Sequence, residues 1–154
     1  SAKFINQNFN GLLSEQLDSA ELIEDFKDSA NKVAKFYENL EFSKAMKEIM
    51  SLADKANKYV DSKQPWVLIK EEGNEELVQS ICTTSINLFR ILTVMLHPVI
   101  PGFTDTALKF LNEEEISWDS IDTPLLGCEV NTFEPIVIRI DDKQISQLLG
   151  EKNG

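Results

Sequence analysis

Along this chain, apolar side chains return every three or four positions and are interrupted by short polar breaks, the pattern of successive amphipathic helices. Phe4, Ile5 and Phe9 form the end of a first helix, and Asn10-Gly11 stops it. After a loop through Leu17, Asp18-Ser19 caps a second helix with the stripe Leu22, Ile23, Phe26, Ala30, Val33, Ala34 and Tyr37. A break at Asn39-Leu40-Glu41 leads into a third helix, Phe42 to about Val60, with Phe42, Ala45, Met46, Ile49, Leu52, Ala53, Ala56, Tyr59 and Val60 as its apolar set. So short a connection makes the two helices antiparallel neighbours. Pro65-Trp66 then puts a large ring just past a helix end, because proline cannot continue the helix interior.

Gly73-Asn74 is a turn, and Asn74 can cap a helix from Glu75 to His97. From Ile86 onward that helix is apolar on nearly every side, so it belongs in the middle of a bundle. Asn87 and Arg90 interrupt it, and burial obliges each to find a partner. Pro98 and Pro101 break the chain, and Thr104 can cap a fifth helix to Asn112. Residues 113–135 read as irregular. Ile136, Ile138 and Ile140 alternate as a short extended segment. Asp141 with Gln144 opens a short last helix, Asp142 to Leu149. The predicted fold is all-α, a helical bundle of about five helices with a C-terminal tail packed on it. It forms one domain over residues 1–154, its first helix truncated at the N-terminus. That truncation is expected to expose part of the bundle, including the stripe beginning at Leu52.

Length changes this picture little, since 154 residues suit one domain with a proper core. Charge matters more: 15 Lys and Arg against 26 Asp and Glu give a net charge of −11, which opposes broad, non-specific nucleic-acid binding. A binder of folded RNA can still work through a local basic strip and base contacts. Cys82 and Cys128 are no disulfide framework; Cys82 reads as a small buried hydrophobe, and the compartment as reducing and cytoplasmic. Two Cys and one His cannot fill a structural zinc site. There is no signal peptide, and no apolar run of about 18 residues, so no membrane span is expected. The absence of an initiator Met at residue 1 implies processing or a fragment of a longer protein.

Catalytic chemistry is hard to assemble. His97 precedes a proline and reads as a helix-end residue. No nucleophile set, phosphate loop or di-metal pattern is present. The acidic runs, Glu113–Glu115 among them, read as solvated faces and caps. On the third helix Asp54, Asn57, Lys58 and Asp61 fall at i, i+3, i+4 and i+7 and share one polar face leading to Trp66. Spacing alone leaves two readings of Trp66, a core plug or a platform on which a base stacks.

Ile49-Met-Ser-Leu-Ala-Asp54-Lys-Ala-Asn57-Lys-Tyr59-Val-Asp61, followed by Pro65-Trp66, resembles the anticodon-binding helical domain of bacterial methionyl-tRNA synthetases. The resemblance extends in order to Phe4-Ile5-Asn6, Phe9-Asn-Gly11, Ile86-Asn87-Leu88-Phe89-Arg90, Leu96-His97-Pro98-Val99-Ile-Pro101, Trp118-Asp119, Pro124-Leu-Leu-Gly127 and Arg139-Ile-Asp141. It implies that Trp66 stacks on the first base of a CAU anticodon while the backbone at Pro65 helps read it. Asn57 would lie beside that site with Lys58, Asp54 and Asp61 would repel wrong RNAs, and Arg139 would approach the anticodon-loop backbone. The family's other anticodon readers, an Asn and an Arg on the first helix, would lie upstream of Ser1.

The same resemblance implies partners: a methionine tRNA, through its anticodon loop, and a catalytic domain of the same polypeptide, with neither membrane nor DNA. ATP, magnesium and a structural zinc would belong to that catalytic domain. The stretch in hand would need no cofactor and would be non-catalytic, although its parent is a methionine–tRNA ligase. Two alternatives stand beside this reading: an acidic helical module that binds a protein, and the same domain from a sister synthetase for isoleucine, valine, leucine or cysteine. Low net basicity and the lack of a Lys/Arg stripe favour the first of these.

Overall fold

The computed structural model describes residues 2–132. The expected extended segment at 136–140, the last helix and Arg139 lie outside the described residues. Within them run α1 (Ala2–Phe9), α2 (Ala20–Glu38), α3 (Phe42–Lys63), the single turn α4 (Pro65–Leu68), α5 (Glu75–Leu96) and α6 (Pro101–Leu111), then a 3₁₀ turn at Trp118–Asp122. The bundle of five longer helices is as expected from the pattern. α2, α3 and α5 pack on one another; α1, α4, α6 and the 3₁₀ turn all pack on α5.

That arrangement explains why α5 is apolar on nearly every side from Ile86 onward. Ile81, Leu88, Ile91 and Met95 face one cluster with Ile23, Phe26 and Val33 of α2 and Ile49 and Leu52 of α3. Val78, Cys82 and Ile86 face a second cluster with Ile5 of α1, Leu13, Phe110 and Leu111 of α6, and Val130. Contrary to the expectation that no such run exists, α5 is long and apolar enough to cross a membrane by length and composition; with 67% of that stretch covered by the rest of the protein, it has the character of a core helix. Leu52 is buried, so the bundle is not open at that stripe.

Helix ends follow local chemistry, with three departures from expectation. Ser19 caps α2, its hydroxyl accepting from the Leu22 N–H at 3.4 Å. Asn74 occupies the cap position of α5, but its amide turns away and donates to Leu68 O and Glu71 Oε2. α6 starts at Pro101, where a missing donor and a fixed φ suit the first turn; Thr104 therefore lies inside the helix, buried, its hydroxyl without a hydrogen-bond partner among the described residues. α3 runs one turn past Val60 and ends at Gln64, whose φ of 49° is left-handed and whose N–H donates to Val60 O. The stop at Gly11 depends on glycine: φ is +79°, and a Cβ there would come within 2.4 Å of Val130 O.

The buried polar residues of α5 all find partners. Thr83 Oγ1 accepts from Ser14 N and Thr84 Oγ1 from Asp18 N, each hydroxyl donating back to the carbonyl four residues earlier. Asn87 holds Leu125 at both ends, donating to its carbonyl at 3.0 Å and accepting from its N–H at 2.8 Å. Arg90 makes a two-pronged pair with Glu113, at 2.6 and 3.2 Å, and donates to Ser120 O and Thr123 O. Glu113 is thus no solvated charge but the counter-ion of a buried guanidinium. Asn87→Ala strands the amide of Leu125 inside the protein, and the expected loss is about 3 kcal/mol of unfolding free energy by urea denaturation; a loss under about 1 kcal/mol would show that water replaces the side chain.

Candidate nucleic-acid interface

The end of α3 and the turn α4 form a corner. Gln64 is at once the last cap of α3 and the first of α4, and its carbonyl accepts from Val67 N and Leu68 N. Pro65, in the first turn of α4, is buried. Leu68 and Ile69 pack into the cluster that Ile5 of α1 also fills. With the turn pinned from below, Trp66 and Val67 point outward, 45% and 43% exposed. Trp66 makes no ring contact among the described residues, whereas Trp118 is half-buried and edge-on to Tyr37 at 6.3 Å. The core-plug reading of Trp66 is therefore wrong: Pro65 fills the interior and the indole is left on the surface.

Asp54, Asn57, Lys58 and Asp61 are all exposed, and none of their side chains makes a hydrogen bond or ion pair among the described residues. They leave donors and acceptors free on the side of α3 opposite its buried stripe of Ala45, Met46, Ile49, Leu52 and Tyr59. The same side carries a feature that net charge concealed. Lys47, Ser51, Lys55 and Lys58 fall at i, i+4, i+8 and i+11, all exposed, over about 16 Å of helix. The three lysines have no carboxylate partner among the described residues, whereas Lys44 is paired with Glu41 and Lys32 with Glu48. The expected lack of a Lys/Arg stripe is thus corrected: a short one exists within an acidic protein.

Beneath the corner, Tyr59 is buried and its hydroxyl donates to Asp18 Oδ2 at 2.7 Å. Lys63 Nζ lies 3.1 Å from the same oxygen. Burial, followed by the hydrogen bond to Asp18, pushes the Tyr59 phenol far above its ordinary 10.0.

Residues 13–147 match the family described as the anticodon binding domain of methionyl tRNA ligase. The chain belongs to that family. Its fold is also that of methionyl-tRNA synthetase from Mycobacterium tuberculosis: against the apo form the TM-score is 0.75 at 19% identity, over 88% of this chain and 30% of that one. Against the same enzyme bound by methionyl-adenylate the TM-score is 0.75 at 19% identity, over 86% of this chain and 28% of that one. The chain thus spans under a third of the length of those synthetases.

In this anticodon-binding domain, the structure brings Trp66, Pro65, Asn57, Asp54, Asp61 and Lys58 to the second half of α3 and the turn after it. Lys47 and Lys55 extend the exposed edge of α3 beside Lys58, a spacing present in the sequence that a net charge of −11 conceals. Asp18 was seen only as a cap, since its link to Tyr59 spans 41 positions.

Two outcomes are expected. With Trp118 replaced by Phe, the remaining emission is that of a solvent-exposed indole and is quenched freely by acrylamide; a blue-shifted, protected emission would contradict the exposed corner. A phenol whose folded pKa is raised contributes stability that is complete below the unfolded value of 10.0 and is lost as pH rises above it. Urea midpoints should therefore fall above pH 10, and fall less in Tyr59→Phe.

Proposed function

We propose that this domain reads the CAU anticodon of methionine tRNA, so that a catalytic domain of the same polypeptide can join methionine to that tRNA using ATP. The observation that carries the reading is the exposed indole of Trp66, set at a helix corner in a chain of the anticodon-binding family. In this reading the anticodon loop opens over the corner and its first base stacks on Trp66. An aromatic face of that kind contributes about 1–3 kcal/mol per base. The backbone at Pro65 and the amide of Asn57, which can both donate and accept, address the base edge. Asp54 and Asp61 repel RNAs whose phosphates approach out of register.

Lys58, with Lys47 and Lys55, faces the sugar-phosphate chain, and the family resemblance gives Arg139 a role toward the same backbone. Local cations of this kind reconcile an acidic domain with an anionic ligand, because phosphate contacts fix position while base contacts fix identity. The domain itself performs no chemistry; ATP, magnesium and a structural zinc belong to the catalytic domain, and the protein works in the cytoplasm.

Titration with an RNA stem-loop carrying CAU tests this. Trp66→Ala is expected to weaken binding roughly 5- to 150-fold. Replacing Lys47, Lys55 and Lys58 together by Gln should flatten the dependence of log K on log salt by about 2, equally for CAU and altered loops. Equal binding of CAU and altered loops, with Trp66 fluorescence unmoved even in a chain extended upstream of Ser1, would overturn the reading.

A further inference from the structure

We infer that Asp18 and Tyr59 are positioning residues for the Trp66 platform: the Asp18 carboxylate ties the last turns of α3 to α5 and thereby sets where the indole stands. This rests on the proposed reading of the anticodon. Asp18 lies in the loop between α1 and α2. Its backbone N–H donates to Thr84 Oγ1 at 2.9 Å, which anchors the residue to the central helix. One carboxylate oxygen then accepts from two groups of α3, the Tyr59 hydroxyl at 2.7 Å and the Lys63 ammonium at 3.1 Å. The Asp18 side chain is only 10% exposed, while that of Lys63 is 42% exposed. An ion pair so open contributes little, so the hold falls chiefly on the shielded Tyr59–Asp18 bond, whose acceptor is charged.

Lys63 is the last helical residue of α3, Gln64 reverses into the left-handed region, and Trp66 follows. No residue between Tyr59 and Pro65 is buried, so packing holds those last turns weakly, Val60 alone touching the core in part. At its other end α4 is held by Leu68 and Ile69. The platform is therefore held from below by Pro65, Leu68 and Ile69, while the last turns of α3 that lead into it depend chiefly on the polar anchor. Loosening the polar anchor lets the end of α3 rotate and carries the indole with it.

The test uses Tyr59→Phe, which removes one oxygen and keeps the ring in the core, together with Asp18→Ala and Asp18→Asn, all in the Trp118→Phe background. Tyr59→Phe and Asp18→Ala are expected to change the emission and acrylamide quenching of Trp66 in RNA-free protein, at temperatures where circular dichroism shows an intact fold. Both should weaken CAU stem-loop binding about tenfold and bring the ratio of CAU to first-base-altered loops towards one, with the salt slope unchanged because no phosphate contact is lost. Asp18→Asn keeps an acceptor for the Tyr59 hydroxyl and should recover most of the ratio. Variants that lower the melting temperature yet leave Trp66 quenching and the ratio at wild-type values would overturn the inference. If quenching shifts as expected while the wild type itself ignores the anticodon sequence, the anticodon reading is overturned and the clamp stands.

Discussion

A polar group inside a protein must be paired, and α5 carries several such groups through the middle of the bundle. Thr83, Thr84, Asn87 and Arg90, with Ser80 and Thr93, are buried on a helix whose other buried residues are Ile, Leu, Val, Met and Cys. Left without partners, each would cost on the order of 1–3 kcal/mol, and the guanidinium more. Beyond the carbonyls of α5 itself, the partners come from the connecting chain: Ser14 and Asp18 between α1 and α2, and Glu113, Ser120 (in the 3₁₀ turn), Thr123 and Leu125 after α6. Apolar packing alone would leave these loops free to settle in many ways, since it is not directional. Hydrogen bonds choose one way, so the central helix dictates the course of chain that has no regular structure of its own.

That constraint reaches the proposed interface in two steps. Thr84 fixes the backbone of Asp18, and the Asp18 carboxylate fixes Tyr59 and Lys63 near the end of α3. Beyond that end, the left-handed Gln64 and the buried Pro65 turn the chain so that Trp66 faces solvent. The division of labour between neighbours is clear: proline fills space and presets φ, and tryptophan is released from packing. A half-exposed indole with no ring partner among the described residues does little for the fold, so the position can answer to a ligand.

α2, α3 and α5 were legible because their period agrees with burial, Ser19 caps α2 as its sequence suggests, and α5 announced its central place by being apolar on nearly every side from Ile86 onward. The need of Asn87 and Arg90 for partners was equally plain; the identity of those partners was not. Glu113 sits in an acidic run, and only the return of the chain over α5 shows that it meets Arg90 across 23 positions. Thr104 resembled a cap because Thr commonly is one, but Pro101 starts helices still better and took the first turn. Trp66 could not be placed from spacing, since a Pro-Trp corner can bury either residue. The outcome turns on Leu68 and Ile69 docking into the cluster built by α5, α1 and α6, residues far from the corner in sequence. The lysine face of α3 was present in the spacing and was hidden by a sum over the whole chain; a helix face, not a net charge, is what a phosphate meets.

Stacking on an aromatic ring tolerates every base, because every base has a π-face. An indole by itself therefore supplies affinity without identity. Identity requires that the base, once stacked, meet hydrogen-bonding groups in only one register, which demands a platform fixed relative to the Asn57 face of α3. A mobile Trp66 could follow a wrong base and stack on it equally well. Holding the platform before the ligand arrives also spares the ordering cost that binding would otherwise carry. In the proposed reading, the distance that would govern discrimination is not one between protein and RNA but the 2.7 Å between Tyr59 and Asp18, because it would decide whether the ring and the polar face move as one body.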